Sequence, residues 1–135
     1  MIGMNKSQIH STVPVVNTGD IAKSLAYYQN VLGFAIDFQY GDPPVYAGVN
    51  AGTSEIYFTH SPDFVKLIAD HALHPDIFIW VTDADQYFNL HVKNGAEIIE
   101  TIADRPWGAR QYVVRDPNGY HLKFAQALSS VVGNQ

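Results

Sequence analysis

The feature that most constrains this chain is an internal repeat. Two segments of nearly equal length, Asp20 to Gly33 and Asp83 to Gly95, each follow a short apolar stretch and precede an alternating one. Each begins at an aspartate, which caps helix N-termini, and ends at a glycine, which favours the left-handed backbone found where helices end. The repeat therefore predicts two copies of one supersecondary unit that cover each other's apolar faces.

The first half is predicted to run strand, helix and three strands. A short apolar strand at 13–16 precedes the first helix, and three further strands are expected at 34–39, 45–49 and 55–59. Within the helix, apolar residues fall on one face at near-helical spacing: Ile21, Leu25, Tyr28 and Leu32.

The second half repeats this order after a connector helix, which is predicted from Ser61 as cap and Pro62 in the first turn. We expect one domain over residues 1–135, with module one at about 9–60, the connector at about 61–73 and module two at about 74–126. The predicted fold class is α+β, with two paired βαβββ modules forming a curved mixed-sheet cup with helices outside. The alternative is a ferredoxin-like α+β domain whose symmetry is accidental.

Composition narrows the function classes. The chain of 135 residues has no cysteine, which excludes disulfides, thiolate metal sites and thiol nucleophiles. Its net charge is −5 and its basic residues are scattered, so nucleic acid is not an expected partner and a cationic or neutral small ligand fits better. The longest wholly apolar run, Ile77 to Val81, is far shorter than the roughly 18 residues of a membrane span, and Met1 to His10 lacks a signal-peptide core. We therefore expect a cytoplasmic protein.

Four segments carry a resemblance to a known family: Thr12–Val16, Asp20–Phe34, Pro106–Arg110 and Asp116–Phe124. Together they resemble the vicinal oxygen chelate superfamily, also called the glyoxalase, bleomycin-resistance and dioxygenase superfamily. The Pro-Trp-Gly-x-Arg element before Asp-Pro-x-Gly is most similar to the bleomycin-resistance branch. The resemblance implies paired βαβββ modules in a homodimer, with ligands in crevices formed with the partner subunit, and Met1 to Gln8 as an arm on the other chain.

The resemblance also implies where a divalent cation would be held. Its four ligand positions fall on Val13, Tyr57, Asp76 and Lys123 in this sequence. Of these, Asp76 alone is an ordinary oxygen ligand, with Glu55 one pleat from Tyr57 on the same face as a second candidate. We therefore predict no metal, no cofactor and no catalytic residue, and expect Lys123 to form an ion pair with Asp76 in place of the cation. The six histidines show no ligand spacing and are expected in surface or packing roles: His10, His60, His71, His74, His91 and His121.

Alternation along the strands predicts the lining of the cup. It consists of aromatic and acidic side chains and one lysine: Phe38, Tyr46, Glu55, Tyr57, Asp76, Phe78, Trp80 and Lys123. Trp107, from the branch motif, is added as a ring at the mouth of the cup. Such a wall suits a flat or cationic small molecule through stacking and cation–π contact. The alternative is that these rings merely fill the cup.

Trp107 and Arg110, which belong to the branch motif, can each be explained by a structural role. Trp107 can cap the mouth of the cup or belong to a tight turn pinned by a buried ring, and the turn is favoured. Arg110 can pair with Asp116 to hold the last hairpin, whose Asp-Pro-Asn-Gly turn is a structural signal.

These observations predict a metal-independent small-molecule binding protein that sequesters its ligand as a homodimer. The alternative is a glyoxalase-like lyase or isomerase, or a dioxygenase, that recruits a cation through an atypical ligand set and uses Glu55 or Asp76 as base. A third possibility is a sensory or interaction module without catalysis.

Overall fold

The structure, a computed structural model, describes residues 8–128, so the expected arm lies outside the described residues except for Gln8. These residues form three helices and eight strands. In chain order they are β1 (Val15–Thr18), α1 (Ile21–Asn30), β2 (Ala35–Tyr40), β3 (Tyr46–Ala51), β4 (Ser54–His60), α2 (Pro62–Asp70), β5 (Asp76–Trp80), α3 (Ala84–Lys93), β6 (Glu97–Arg105), β7 (Ala109–Arg115) and β8 (His121–Ala127).

The strands form two four-stranded mixed sheets of identical order. The first is β1-β4-β3-β2 and the second is β5-β8-β7-β6. In each sheet the first strand is parallel to the last strand of its half, while the other neighbours are antiparallel. The predicted α+β fold class of repeated βαβββ units is thereby confirmed. The predicted division of the chain into modules at about 60 and 74 stays a prediction.

The repeated caps form as the sequence predicts. The Asp20 side chain accepts a hydrogen bond from the Lys23 amide, and the Asp83 side chain accepts one from the Gln86 amide, each at 3.1 Å. Gly33 and Gly95 have φ of +89° and +87°, which residues with a side chain rarely adopt. Ser61 precedes α2 as expected, but its side chain makes no capping hydrogen bond.

Each sheet buries one face beneath a helix. On β4, Phe58 is fully buried with its ring 4.8 Å from that of Tyr28 in α1. On β8, Phe124 is buried with its ring 4.8 Å from the imidazole of His91 in α3. The alternate residues of these strands point to the opposite face, which includes Tyr57 and Lys123 and which we call the cup face.

The two halves share a single core, and one residue of each of the repeated helices, Tyr28 in α1 and His91 in α3, makes a buried hydrogen bond to the other half. Tyr28, eight residues after its capping aspartate, donates its hydroxyl to Asp116 Oδ2 at 2.7 Å. His91, eight residues after the second aspartate, places Nε2 3.1 Å from the Leu32 carbonyl oxygen and Nδ1 2.7 Å from the Tyr112 hydroxyl. The same helix position therefore reaches across to the other half in both repeats.

Asp116 does not pair with Arg110, so that expectation is wrong. The guanidinium of Arg110 contacts Asp85 and Asp104, each at 3.0 Å, while Asp116 accepts hydrogen bonds from Tyr28 and from the backbone after it. The cause is that β7 separates the two residues by most of its length. The turn itself is as predicted, with the Gly119 amide donating to the Asp116 carbonyl at 3.1 Å.

No helix within residues 8–128 is long and apolar enough to cross a lipid bilayer.

Candidate ligand-binding site

A cluster of three rings covers the cup face of the first sheet. Phe38, Tyr46 and Tyr57 are half-buried, and their ring centroids lie 5.3 to 6.0 Å apart. Strand pairing aligns Phe38 with Gly48 and Gly48 with Tyr57, so the rings meet over a glycine. Three of the nine predicted lining residues are thus brought together, as an aromatic surface that can stack on a flat ligand.

Gly48 makes this cluster possible. A Cβ at Gly48 would lie 2.3 Å from Phe38 Cε1 and 3.0 Å from Tyr57 Cδ1, well inside van der Waals contact. Sequence reasoning did not single out Gly48, although a glycine within a predicted strand is a signal for the close approach of another group.

Glu55 lies one pleat from Tyr57 on the same face of β4 and is half-buried. Its carboxylate is the largest influence that raises the pKa of Tyr57, because a neighbouring negative charge disfavours the phenolate. The phenol is therefore neutral near pH 7, available as both hydrogen-bond donor and acceptor. The pair gives the first sheet one acidic group beside a neutral aromatic surface.

On the second sheet, Asp76 and Lys123 form the expected ion pair, with Nζ 3.3 Å from Oδ2. Partial desolvation acts to raise the pKa of Asp76, but hydrogen bonds from His74 and Lys123 outweigh it and hold the pKa below its ordinary value. Asp76 is therefore ionised near pH 7. This pair occupies two of the positions that the family resemblance assigns to a cation.

Phe78 and Trp80 are exposed side by side on the cup face of β5. Their ring centroids are 4.9 Å apart, and 45% and 63% of their surfaces are exposed. Phe78 and Glu55 together line a cleft of about 420 Å³ between the two sheets. Trp80 lines another opening of about 590 Å³, beside Phe34 and Phe124.

The predicted lining residues do not converge into one pocket within the chain. Among the predicted lining residues, all of which lie within 8–128, ring contacts join members of the same sheet, and none joins the three-ring cluster to Phe78 or Trp80. Each half of the chain therefore presents its own part of the predicted lining.

Trp107 lies apart, in the turn between β6 and β7. The Gly108 amide donates to the Arg105 carbonyl at 3.1 Å, which closes the turn that the sequence favours. The ring is 63% exposed and donates from Nε1 to Gln111 Oε1 at 3.2 Å, so the expectation that a buried ring pins the turn is wrong. A hydrogen bond to a neighbouring strand residue holds the indole instead.

Three of the six histidines lie in two different environments. His91 is fully buried and burial lowers its pKa, which makes it a packing residue as expected. His74 and His121 instead converge on Asp76, and one ligand atom from each of the three residues lies within 4.8 Å of the other two. Sequence reasoning missed this cluster because the pairing of β5 with β8, which aligns Asp76 with His121, cannot be read from residue spacing.

The comparisons with known proteins agree with this architecture. A family model described as Glyoxalase/Bleomycin resistance protein/Dioxygenase superfamily matches residues 8–124. The chain belongs to this superfamily. The resemblance noted in the sequence is thereby confirmed.

Solved structures similar to this superfamily member include three with closely related topology. TioX from Micromonospora sp. ML1 is 26% identical with a TM-score of 0.72, and the match covers 86% of this chain and 97% of that one. A bleomycin resistance determinant encoded on the transposon Tn5 is 19% identical with a TM-score of 0.74, covering 88% and 98%. A bleomycin-binding protein from Streptomyces verticillus, complexed with copper(II)-bleomycin, is 22% identical with a TM-score of 0.71, covering 94% and 99%. The last two show the fold alone.

Among curated proteins, an uncharacterized protein of Mycobacterium bovis is 36% identical over 55 residues, which is 41% of this chain and 36% of that protein. An uncharacterized protein of Mycobacterium tuberculosis matches with the same identity over 32% of its length. The matched region thus spans about a third of the length of these relatives.

The positions that the resemblance assigns to a cation in this glyoxalase and bleomycin-resistance superfamily do not fit one here. Val13 offers no donor, Tyr57 is a neutral phenol, and the Lys123 ammonium has no lone pair and lies 3.3 Å from the carboxylate of Asp76. A catalytic cation needs about three protein ligands with an open position. One carboxylate does not supply them.

Proposed function

We propose that this protein captures a small molecule by stoichiometric binding on its cup faces, without a metal ion at the superfamily's usual positions. The single observation that carries the proposal is the Lys123–Asp76 ion pair at those positions. The Lys123 ammonium has no lone pair and cannot serve as a metal ligand at its position, while the neighbouring rings stay free to bind a flat or cationic ligand. The bleomycin-binding proteins of similar fold support binding as the kind of activity.

We further propose that the working form is a homodimer. The predicted lining is split within one chain, with Phe38, Tyr46 and Tyr57 on one sheet and Phe78 and Trp80 on the other. Exposed rings of this size mark surfaces that associate. A second copy that sets its second sheet against the first sheet of its neighbour would complete a cup from both parts.

The nine lining residues have distinct roles in this proposal. The three-ring cluster stacks on the ligand, and Phe78 with Trp80 closes over it from the other sheet. Glu55 and Asp76 attract a cationic group, while Lys123 keeps Asp76 oriented. Trp107 reaches the ligand at the rim of the cup.

Fluorescence titration tests the proposal. A Trp107→Phe variant leaves Trp80 as the single indole, and a panel of planar cationic compounds that includes metal-free bleomycin is added to chelator-treated protein. We expect saturable quenching at one ligand per subunit, with the ligand recovered unchanged by mass spectrometry. Trp80→Phe with Trp107 intact is the matched variant and should show weaker quenching, because Trp107 reaches the ligand only at the rim. Absence of saturable quenching across the panel, or a chemically altered ligand, would contradict capture.

One observation favours a second candidate function. Asp76 is ionised and lies beside two imidazoles, which is a donor set that an atypical metal enzyme of the superfamily could use. Under this alternative a glyoxalase-like lyase or isomerase, or a dioxygenase, would turn its ligand over. Turnover that requires added metal would favour the alternative, and unchanged ligand with or without metal would favour capture.

A further inference from the structure

Three potential metal ligands meet at one end of the second sheet. His74 lies in the segment between α2 and β5, Asp76 begins β5, and His121 begins β8. One ligand atom from each lies within 4.8 Å of the others. His74 and Asp76 are exposed and His121 is half-buried, so the cluster is open to ions from solution.

The backbone holds the three residues in place. In the parallel pairing of β5 with β8, Asp76 is aligned with His121, and the His121 amide donates to the Pro75 carbonyl at 2.9 Å. The His74 and His121 rings stack with centroids 4.3 Å apart and planes within 8°. Because strand pairing sets the positions of Asp76 and His121, only the exposed His74 must be ordered on binding.

The carboxylate of Asp76 divides its two oxygens between different partners. Oδ1 lies 3.2 Å from His74 Nδ1, and Oδ2 lies 3.3 Å from Lys123 Nζ. An ion held by Oδ1 therefore leaves Lys123 on Oδ2, where a hydrogen bond orients the ligand, as partners behind metal ligands commonly do. The ammonium charge also weakens the site, since it lies on the same carboxylate.

We infer that His74, Asp76 and His121 form a binding site for a divalent transition-metal ion such as Zn²⁺, Ni²⁺ or Cu²⁺. Two imidazoles and one carboxylate are the donor set these ions prefer, whereas Mg²⁺ and Ca²⁺ prefer oxygen alone. Bonds of about 2.0–2.2 Å place ligand atoms roughly 3–4 Å apart, so small rotations of the exposed side chains close the cluster on the ion. Three protein ligands leave a coordination position open to water or to a chelating small molecule.

This site is distinct from the one the superfamily resemblance implies. Both sites include Asp76. The other two ligands proposed here are His74 and His121, near the first residues of β5 and β8, instead of Val13, Tyr57 and Lys123. It also goes beyond the proposed capture of a ligand, since His74 and His121 are not among the residues proposed to line the cup. The two proposals can therefore fail separately.

Calorimetric titration of the untagged, chelator-treated full chain with Zn²⁺ alone tests the site. We expect one ion per chain. His74→Ala and His121→Ala should each weaken binding at least tenfold, and His60→Ala, which removes an exposed histidine outside the cluster, should leave it unchanged. Lys123→Met should strengthen binding severalfold, because it removes the opposing charge and keeps the length of the side chain.

A second readout guards against loss of folding. Far-ultraviolet circular dichroism should be unchanged in all four variants, and Co²⁺ should give a ligand-field absorption spectrum in the wild type that is lost in the His74 and His121 variants. Absence of saturable Zn²⁺ binding, or equal binding by folded His74→Ala and His121→Ala proteins, would overturn the inference. Unaltered ligand quenching in those two variants would leave the proposed capture intact.

Discussion

The two sheets share one strand order but differ in what they present on the cup face. Tyr57 pairs with the residue five before Asp20, and Lys123 pairs with the residue five before Asp83, so they occupy equivalent places. The neighbouring residues across each sheet are Gly48 and Phe38 in the first, and Val113 and Glu100 in the second. The repeat therefore fixes the backbone, while the side chains at these equivalent positions are aromatic in the first sheet and ionic in the second.

Helices α1 and α3 are also equivalent in the repeat but carry different side chains at the same position. At equivalent positions, Tyr28 donates to a buried carboxylate and His91 contacts a carbonyl and a hydroxyl. Hydrogen bonds to charged groups are worth more than neutral ones. The hydrogen bonds of Tyr28 and His91 should therefore contribute unequally to stability, and this inequality can be measured.

The largest effect is expected from Tyr28→Phe, which removes the donor to Asp116 Oδ2. The free energy of unfolding should fall by about 1.5–3 kcal/mol, because a hydrogen bond to a buried charged group is lost. Chemical denaturation measures the change. Tyr27→Phe is the matched control, since its hydroxyl makes a longer, exposed bond of 3.3 Å, and it should cost less than about 1 kcal/mol. Equal losses of unfolding free energy in the two variants would contradict the stronger contribution expected from the Tyr28–Asp116 hydrogen bond.

Gly48→Val places a valine in the first sheet, as the second sheet has at the equivalent position, Val113. The added side chain displaces Phe38, and we expect a loss of about 1–3 kcal/mol from overpacking together with a weaker near-ultraviolet circular dichroism signal from the ring cluster. Val113→Ala, a change on the other sheet, should leave that signal unaltered. A Gly48→Val protein with an intact aromatic signal would show that the close approach is unimportant.

The free energy of unfolding should depend on pH through the protonation of His91. Burial lowers its pKa in the folded state, so the neutral form is favoured there and stability is full above the unfolded pKa of about 6.5. As the pH falls below 6.5 the unfolded chain binds the proton first, and unfolding becomes easier by at most about 1.4 kcal/mol per pH unit. Denaturation between pH 7.5 and 5.5, in wild type and His91→Gln, measures this slope. The same slope in both proteins would show that titrating groups other than His91 cause the pH dependence.

The smallest effect on stability is expected from Lys123→Met. Its ion pair with Asp76 is open to solvent, with side chains 34% and 43% exposed, and such pairs contribute about 0–1 kcal/mol. Thermal unfolding checks this. A loss much larger than this range would show that the ion pair is needed to hold the fold together.

Much of the fold is readable from the sequence because it depends on local chemistry. Asp20 and Asp83 cap their helices and Gly33 and Gly95 end them, so the repeat and its order follow directly. The Lys123–Asp76 contact was also predictable, since the family resemblance places both residues at one site.

The remaining features depend on the pairing of distant strands. The convergence of His121 on Asp76 follows from the register of β5 and β8, which residue spacing does not encode. The partners of Arg110 depend on where α3 packs against β6 and β7. Trp107 stays exposed, and its indole nitrogen donates to Gln111 of β7.

The most direct test of the account is ligand binding with and without metal. The Trp107→Phe protein, exhaustively treated with chelator, is titrated with its best ligand from the panel, then again after Zn²⁺ or Ni²⁺ is restored. We predict saturable binding of one ligand per subunit in the chelator-treated protein, and ligand that is recovered unchanged in both states. Binding that vanishes on chelation and returns with the metal, or product that forms only with the metal, would contradict it.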